Sequence, residues 1–186
     1  MELINFIKNN TELSEELANK LEAAFDRKEL PKGTQLFVQG SHCKKVFYFE
    51  KGLGRVYYLK DGKDITHYFF FEDSFSAPIE SVFYNQPSHC TMELLENSIV
   101  RSINYSELEE FIGQLAPIGK AVPLILIGVL RAFSDRLYTI QFQTAQERYN
   151  RMLENYPNIF LRAPLGQIAS YLGITQETLS RIRAGK

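Results

Sequence analysis

The spacing of hydrophobic and polar positions changes twice along the 186 residues of this chain. In the first part, apolar residues four positions apart predict an amphipathic helix with Thr11 as its N-cap. Those residues are Leu13, Leu17, Leu21 and Phe25. From Pro31 to about Ile103 the pattern becomes one of short runs, rich in aromatic and β-branched residues, that alternate with turns. The chain is therefore predicted to begin with a helix and continue as β-structure.

Four segments of the second part have the composition of strands, and they are "QLFVQG", "VFYFEKG", "GRVYYLKDGKDITHYFFF" and "CTMELLENSIVRSI". In the third of these, Asp61-Gly62 lies between two strand-like runs, Arg55–Leu59 and Asp64–Phe71. Because glycine tolerates a positive φ, this spacing predicts a type I′ hairpin turn. Many strands within about 70 residues and no helical spacer predict a β-barrel or jelly roll.

The second change comes near Pro117, where apolar residues follow steps of four, three, four and three. This heptad pattern predicts a helix of about five turns that begins near Pro123. Its residues are Leu126, Leu130, Phe133, Leu137 and Ile140. Ile125 and Val129 form a second apolar stripe, so we expect the helix to pack on the barrel on one side and on a second copy of the chain on the other. Packing within a single chain is the alternative.

The last part has the pattern of three or more short helices. Thr144-Ala-Gln-Glu147 is a capping box, which predicts a helix from there to about Tyr156, stopped by Pro157. After Leu165, the spacing fits a helix-turn-helix, in which two helices cross closely. Its expected core residues are Ile168, Leu172, Ile174, Leu179 and Ile182, with the small Ala169 at the crossing, Gly173 in the turn and Thr175 as the cap of the second helix.

The exposed face of that second helix is expected to contact double-stranded DNA in the major groove. Arg181 can donate two hydrogen bonds to guanine, Glu177 can accept from cytosine or orient Arg181, and Gln176 can bond adenine or a phosphate. The full set of predicted DNA-contacting residues is Thr175, Gln176, Glu177, Ser180, Arg181 and Arg183, with Lys186 as a further phosphate contact. The alternative is an ordinary helical hairpin with a solvated polar face.

The charge distribution agrees with this assignment, although the formal net charge is only -1. Residues 146–186 carry six Lys or Arg and three Asp or Glu, whereas residues 61–145 carry five and eleven. The C-terminal part is thus the one suited to a polyanion. Two cysteines, Cys43 and Cys90, are too few for a disulfide framework, and neither a signal peptide nor a membrane span is evident. We expect a cytoplasmic protein that contacts no membrane.

This order of elements resembles the Crp/Fnr superfamily of bacterial transcription regulators, in particular a short subgroup that lacks the cyclic-AMP-binding signature. The similarity is carried by "EKGLGRVYYLKDGKDITHYFFFEDSF", "AQERYNRMLENYP" and "IASYLGITQETLSRIR". The resemblance implies an α+β protein with three parts: a cyclic-nucleotide-binding-like jelly roll at residues 1–116, a long dimerisation helix at 117–143, and an all-α helix-turn-helix domain at 144–186. It also implies a homodimer on a palindromic operator, base contacts by Gln176, Glu177 and Arg181, and RNA polymerase as a candidate partner.

The resemblance implies a small effector in the barrel, but the residues argue against cyclic AMP. Where cyclic-AMP-binding members have Gly-Glu and Arg-Ser, this chain has Ala77-Pro78 and His89-Cys90. No Lys or Arg occurs between Lys63 and Arg101, and burying a phosphate without a cation is costly. The effector is therefore unidentified and less anionic, or the pocket is vestigial. The candidate pocket residues are Ser76, Ala77, Glu80, Ser81, His89 and Cys90.

We expect no cofactor and no metal. Two cysteines cannot hold the iron–sulfur cluster of the superfamily's oxygen sensors, and His42-Cys43 with His89-Cys90 does not have zinc-ligand spacing. A cupin-like metal enzyme is an alternative, but three scattered histidines without a His-x-His motif argue against it. An effector-binding or oligomerisation module without DNA binding is the other alternative. The sequence ends at Lys186, so the winged hairpin that usually follows in this superfamily is either absent or was not included.

Overall fold

The computed structural model describes residues 14–185, apart from the side chains at positions 117, 120, 121, 124 and 125. Thr11, Leu13 and Lys186 therefore lie outside the described residues. Helix α1 (Glu15–Ala23) has Ser14 as its N-cap, whose hydroxyl accepts from the Leu17 N–H at 3.4 Å. Leu21 is buried as expected, but Phe25 lies beyond the helix end and is buried at the entry to the first strand.

Within residues 14–185, eight strands make up two antiparallel four-stranded sheets. They are β1 (Asp26–Leu30), β2 (Gln35–Phe37), β3 (Lys45–Lys51), β4 (Gly54–Lys60), β5 (Lys63–Phe70), β6 (Phe75–Ser76), β7 (Thr91–Leu94) and β8 (Ser98–Asn104). One sheet has the order β1-β8-β3-β6 and the other β2-β7-β4-β5. A short helix α2 (Ile79–Tyr84) separates β6 from β7. The predicted jelly roll is confirmed.

Two details show which strands the sequence pattern detects. Asp61 and Gly62 have φ of 52° and 74° between β4 and β5, so the predicted hairpin turn is confirmed. Strand β1 was not predicted, because four of its five residues are charged and exposed. It lies at a sheet edge, where charged side chains are common, and its register with β8 pairs Asp26 with Ser102.

A buried apolar layer lies between the two sheets. Its fully or nearly fully buried members come from both sheets and are Phe37, Phe47, Phe49, Val56, Met92, Leu94 and Val100. The two cysteines, Cys43 and Cys90, pack against this layer as free thiols. Burial raises the pKa of the Cys90 thiol, and the charge of Glu80 raises it further, as expected for a packing residue rather than a reactive one.

The long helix starts earlier than the sequence predicted. After helix α3 (Tyr105–Gln114), helix α4 runs from Ala116 to Phe142, with Pro117 in its first turn and Pro123 inside it. The prediction of a start near Pro123 is therefore wrong. The extra turns are stabilised by packing, because Ile118 is buried and Val122 packs against the cluster that α1 and β3 form.

Four helices complete the chain: α5 (Ala145–Asn155), α6 (Ile159–Arg162), α7 (Leu165–Leu172) and α8 (Gln176–Arg183). The capping box at α5 is confirmed, since the Thr144 hydroxyl accepts from the Glu147 N–H and the Glu147 carboxylate accepts from the Thr144 N–H at 2.7 Å. These helices do not have a core of their own. Phe69 of β5 belongs to the same buried cluster as the apolar residues of α5 to α8, and so do Leu53 and Leu95 in the loops after β3 and β7. The three-part domain division stays a prediction.

Candidate nucleic-acid interface

The turn between α7 and α8 has the geometry that the sequence predicted. Gly173 adopts φ 67° and ψ 35°, and the Ile174 N–H donates to the Ala169 carbonyl at 3.0 Å, which closes the end of α7. The Thr175 hydroxyl then accepts from the Thr178 N–H at 3.2 Å and caps α8. A left-handed residue and a side-chain cap within three positions fix the angle at which α8 leaves α7.

The inner face of this helix pair is closed by four of the five predicted apolar residues, whereas the fifth, Ile182, is half-buried and lies outside this cluster. Ile168, Leu172 and Leu179 are fully buried, and Ala169 is 2% exposed where the two helices approach each other. Ile174 packs against the same cluster. Since these side chains hold α8 from one side, its other side is left to solvent.

The outer face of α8 carries the predicted DNA-contacting residues, and all six of them are exposed: Thr175, Gln176, Glu177, Ser180, Arg181 and Arg183. The backbone N–H of Glu177 and the Thr175 hydroxyl lower the pKa of the Glu177 carboxyl, and the charge of Arg181 contributes to the same shift. Glu177 is therefore ionised at neutral pH, and Arg181 lies one turn further along, where its guanidinium donates to the Thr178 hydroxyl at 3.4 Å. Arg183 differs from the others, because its guanidinium lies 5.0 Å from the ring centroid of Phe160.

An ion-pair cluster of Arg162 with Glu72 and Glu96, called the clamp below, joins the C-terminal helices to the sheets. Arg162, on α6, donates to Glu72 at 2.6 and 3.2 Å and to Glu96 at 2.7 and 3.2 Å. Burial alone would raise the pKa of Glu72, but the hydrogen bonds from Arg162 and the backbone outweigh it and lower that pKa. Arg162 was not singled out from the sequence, because its partners lie 90 and 66 residues away.

Aromatic and polar contacts extend this clamp along β5. Phe71 and Tyr156 stack with ring centroids 4.0 Å apart and an interplanar angle of 4°. The Thr66 N–H of β5 donates to the Ser170 hydroxyl of α7 at 2.9 Å. The first helix of the helix-turn-helix is thus bound directly to a strand of the second sheet.

Along its C-terminal half, α4 presents large apolar side chains to solvent. The predicted dimerisation residues Leu126, Leu130, Phe133, Leu137 and Ile140 are 38% to 69% exposed. Phe133 also contacts the sheet, with its ring 5.9 Å from those of His67 and Tyr68. Of the second predicted stripe, Val129 is 38% exposed, whereas the Ile125 side chain lies outside the described residues.

The candidate effector residues gather around α2 and the start of β7, but they bond mainly to one another and to the backbone. Ser76 and Ser81 are buried, and the Ser81 hydroxyl donates to the Gln86 carbonyl at 2.8 Å. His89 Nδ1 lies 3.4 Å from Glu80 Oε1. Ala77 and Cys90 are half-buried.

A buried cation elsewhere in the sheets is also fully engaged. Arg55 of β4 is 3% exposed and donates to Asp64, Glu93 and Thr66. Its guanidinium additionally lies over the ring of Tyr57, 4.2 Å from the centroid. A phosphate in the barrel would have to compete with two carboxylates for this cation, since Arg55 has no free donor fork to offer.

Within the described residues, no three His, Cys, Asp or Glu side chains are grouped so that they could hold a metal ion. Across the same part of the chain, α4 included, no helix is long and apolar enough to cross a membrane.

Comparison with known proteins shows what the chain is similar to. Residues 27–114 match the cyclic nucleotide-binding domain family. The fumarate and nitrate reduction regulatory protein of Escherichia coli is 26% identical over 186 aligned positions, which cover 91% of this chain and 72% of the relative.

Solved structures share the fold. FixK2 from Bradyrhizobium japonicum matches with a TM-score of 0.74 at 22% identity, covering 87% of this chain and 83% of that one. A transcriptional regulator of the Crp/Fnr family from Eubacterium rectale matches with a TM-score of 0.72 at 18% identity, covering 97% and 87%. The chain thus contains a segment similar to the cyclic nucleotide-binding domain family, and it shares its fold with these solved structures.

Proposed function

We propose that this chain binds a palindromic DNA operator as a homodimer, with α8 as the recognition helix. The observation that carries the proposal is the division of α8 into two faces, one closed by Leu179 in a shared core and one fully exposed and polar. A helix that reads base edges needs both a fixed angle and a free polar face. Arg181 is the residue to which we assign guanine recognition, with Glu177 to orient it and Gln176 beside them.

The apolar face of α4 supports a second copy of the chain as the partner. Leu130 and Leu137 are 69% and 57% exposed and repeat at heptad spacing, which is self-complementary between two parallel copies. Contiguous apolar surface of this kind is rarely left in water by a soluble protein. Pairing along α4 would place two copies of α8 on the same side of the dimer, as two half-sites of an operator require.

We further propose that a small effector, distinct from cyclic AMP, controls this dimer through the sheets. The carboxylates Glu72 and Glu96 join the sheets to α6 through Arg162, so a shift of the loops that carry them would move the helix-turn-helix. The absence of Lys and Arg between positions 63 and 101 and the engagement of Arg55 argue against a cyclic phosphate in the jelly roll. Ser76, Ala77, Glu80, Ser81, His89 and Cys90 remain the candidate contacts for a less anionic molecule.

The test is selection of bound duplexes from a random DNA library, followed by titration of the selected duplex with wild type and Arg181→Ala. Loss of a bidentate guanine contact costs about 1–3 kcal/mol, so we expect affinity to fall about 5- to 150-fold for the selected site and the preference at one base pair to relax. Lys28→Ala, an exposed charge on β1, is the matched control and should leave affinity unchanged. If Arg181→Ala binds the selected duplex as tightly as wild type does, α8 is not the helix that recognises the base sequence.

A further inference from the structure

A half-open cavity of about 340 Å³ lies where β5, α4, α5 and α7 meet, and none of the predicted DNA-contacting or candidate effector residues lines it. Three arginines line it, Arg136, Arg148 and Arg151, against one carboxylate, Asp135. Tyrosine side chains of β5 and α7, Tyr68 and Tyr171, form another part of the wall. The charged groups that line it therefore carry a net charge of +2.

Two of the three arginines lack a carboxylate partner within the described residues. The Nε of Arg148 is buried with no hydrogen-bond partner there, while its guanidinium donates elsewhere to the Gln143 carbonyl at 2.7 Å. Arg136 donates to the Tyr171 carbonyl and lies 3.8 Å from that ring's centroid. Arg151 has a loose ion pair, 3.8 Å from Asp135. The arrangement is costly at the Arg148 Nε, because a buried donor needs a hydrogen-bond acceptor.

The mutual repulsion of these arginines indicates that an anion would be stabilising. Burial lowers the pKa of the Arg136 guanidinium, Tyr171 partly offsets this, and the charge of Arg148 lowers it further. Guanidinium forks bind phosphate and carboxylate oxygens in pairs. A phosphate monoester carries close to two negative charges at neutral pH, which matches the charge of the cavity.

We propose that this cavity is a binding site for a small phosphorylated metabolite. Its phosphate would lie between Arg136 and Arg148, with Arg151 as a third cationic contact. The volume lies within the range of small-molecule sites and exceeds the needs of a phosphate group, so the organic part of the ligand would lie against the tyrosines. This site is separate from any ligand of the jelly roll.

The position of the cavity gives such a ligand a regulatory effect, an extension that rests on the proposed function. Arg136 belongs to the long helix α4, Arg148 to α5, and Tyr171 to the first helix of the helix-turn-helix. A phosphate that contacts residues of all three elements can bind only when these elements lie close together. Its binding therefore stabilises that arrangement of the elements. The ligand would hold α7 and α8 at one angle to α4.

The site is tested by calorimetric titration of the full chain with inorganic pyrophosphate and inorganic phosphate, without DNA. We expect saturable binding by wild type, loss of at least about tenfold in affinity for Arg148→Gln and Arg136→Gln, and a smaller loss for Arg148→Lys, which keeps the charge without the fork. Arg131→Gln is the matched control, since Arg131 is 84% exposed on the same helix and lies outside the cavity; its affinity should stay within about twofold.

Three results would overturn the proposal. The first is the absence of saturable binding by folded wild type up to about 10 mM of either anion. The second is an equal loss in Arg131→Gln, which would indicate attraction by general charge alone. The third is displacement of pyrophosphate by a short DNA duplex, which would assign these arginines to the DNA backbone instead of a metabolite. Because the titration contains no operator DNA, anion binding can be measured even if the proposed function, operator binding, is wrong.

Discussion

Replacing Arg162 with methionine removes the clamp between α6 and the sheets while it keeps most of the apolar stem. The wild-type guanidinium makes four hydrogen bonds to two carboxylates, and its side chain is 23% exposed, against 36% for Glu72 and 33% for Glu96. After the substitution Glu72 keeps its bond from the Gly52 N–H at 2.9 Å, whereas Glu96 loses its ion pair.

The expected loss lies between two limits. Fully exposed ion pairs contribute about 0–1 kcal/mol, and hydrogen bonds to charged groups contribute about 1.5–3 kcal/mol when water is excluded. Because solvent screens carboxylates that are about a third exposed, we expect Arg162→Met to lower the free energy of unfolding by about 2 kcal/mol. In a chain of this size that corresponds to a fall in Tm of about 4–8 °C.

The assay is urea unfolding followed by circular dichroism, because guanidinium chloride would itself screen the ion pairs. Its pH dependence supplies a second measurement. The pKa of Glu72 is lowered below its ordinary value of 4.5, so the stabilisation is present above that value and is lost as the pH falls through the folded pKa. The difference between wild type and Arg162→Met should therefore shrink in acid below pH 4.5.

Arg131→Met provides the control, since this exposed arginine has a single contact at 4.0 Å and should change stability by less than about 0.5 kcal/mol. If Arg162→Met unfolds with the same free energy as wild type, or if its deficit stays constant as the pH falls, the clamp does not hold the helix-turn-helix on the sheets. A deficit equal to that of the control leads to the same conclusion.

Three further predictions concern the capping box, the turn and the long helix. Thr144→Ala should cost about 1 kcal/mol in urea unfolding, because it leaves the Glu147 N–H without its acceptor, and Thr144→Ser should restore most of it; an unchanged midpoint would refute this. Gly173→Ala should cost about 1 kcal/mol through its φ of 67° alone, since an added Cβ would meet no atom within 4 Å, and Gly173→Asn should cost less; an equal loss in both would point to another cause. A double change, Leu130→Glu with Leu137→Glu, should shift the mass in sedimentation equilibrium from dimer to monomer, whereas a wild type that is already monomeric would contradict pairing along α4.

Features set by neighbours in the chain were predictable from the sequence. The Asp61-Gly62 hairpin, the capping box at Thr144 and the turn at Gly173 each depend on backbone angles and hydrogen bonds between residues at most five positions apart. The jelly roll followed from many short strands without helical spacers. The exposed face of α8 followed from its spacing, since the core residues fix which side is left over.

Features set by distant contacts were not predictable. Strand β1 is charged throughout its first four residues and becomes a strand only because β8 pairs with it. Helix α4 continues through Pro123 because Ile118 and Val122 find a packed cluster.

The same applies to the groups that connect the C-terminal helices to the rest of the molecule. Arg162 meets Glu72 and Glu96 across 90 and 66 residues, and Arg136 meets Tyr171 across 35. The sequence alone determined the capping box, the hairpin and the turn that presents α8, because capping and positive φ are local properties. Only the tertiary structure decided which charges meet, because the partner of a buried or half-buried arginine depends on how distant elements pack.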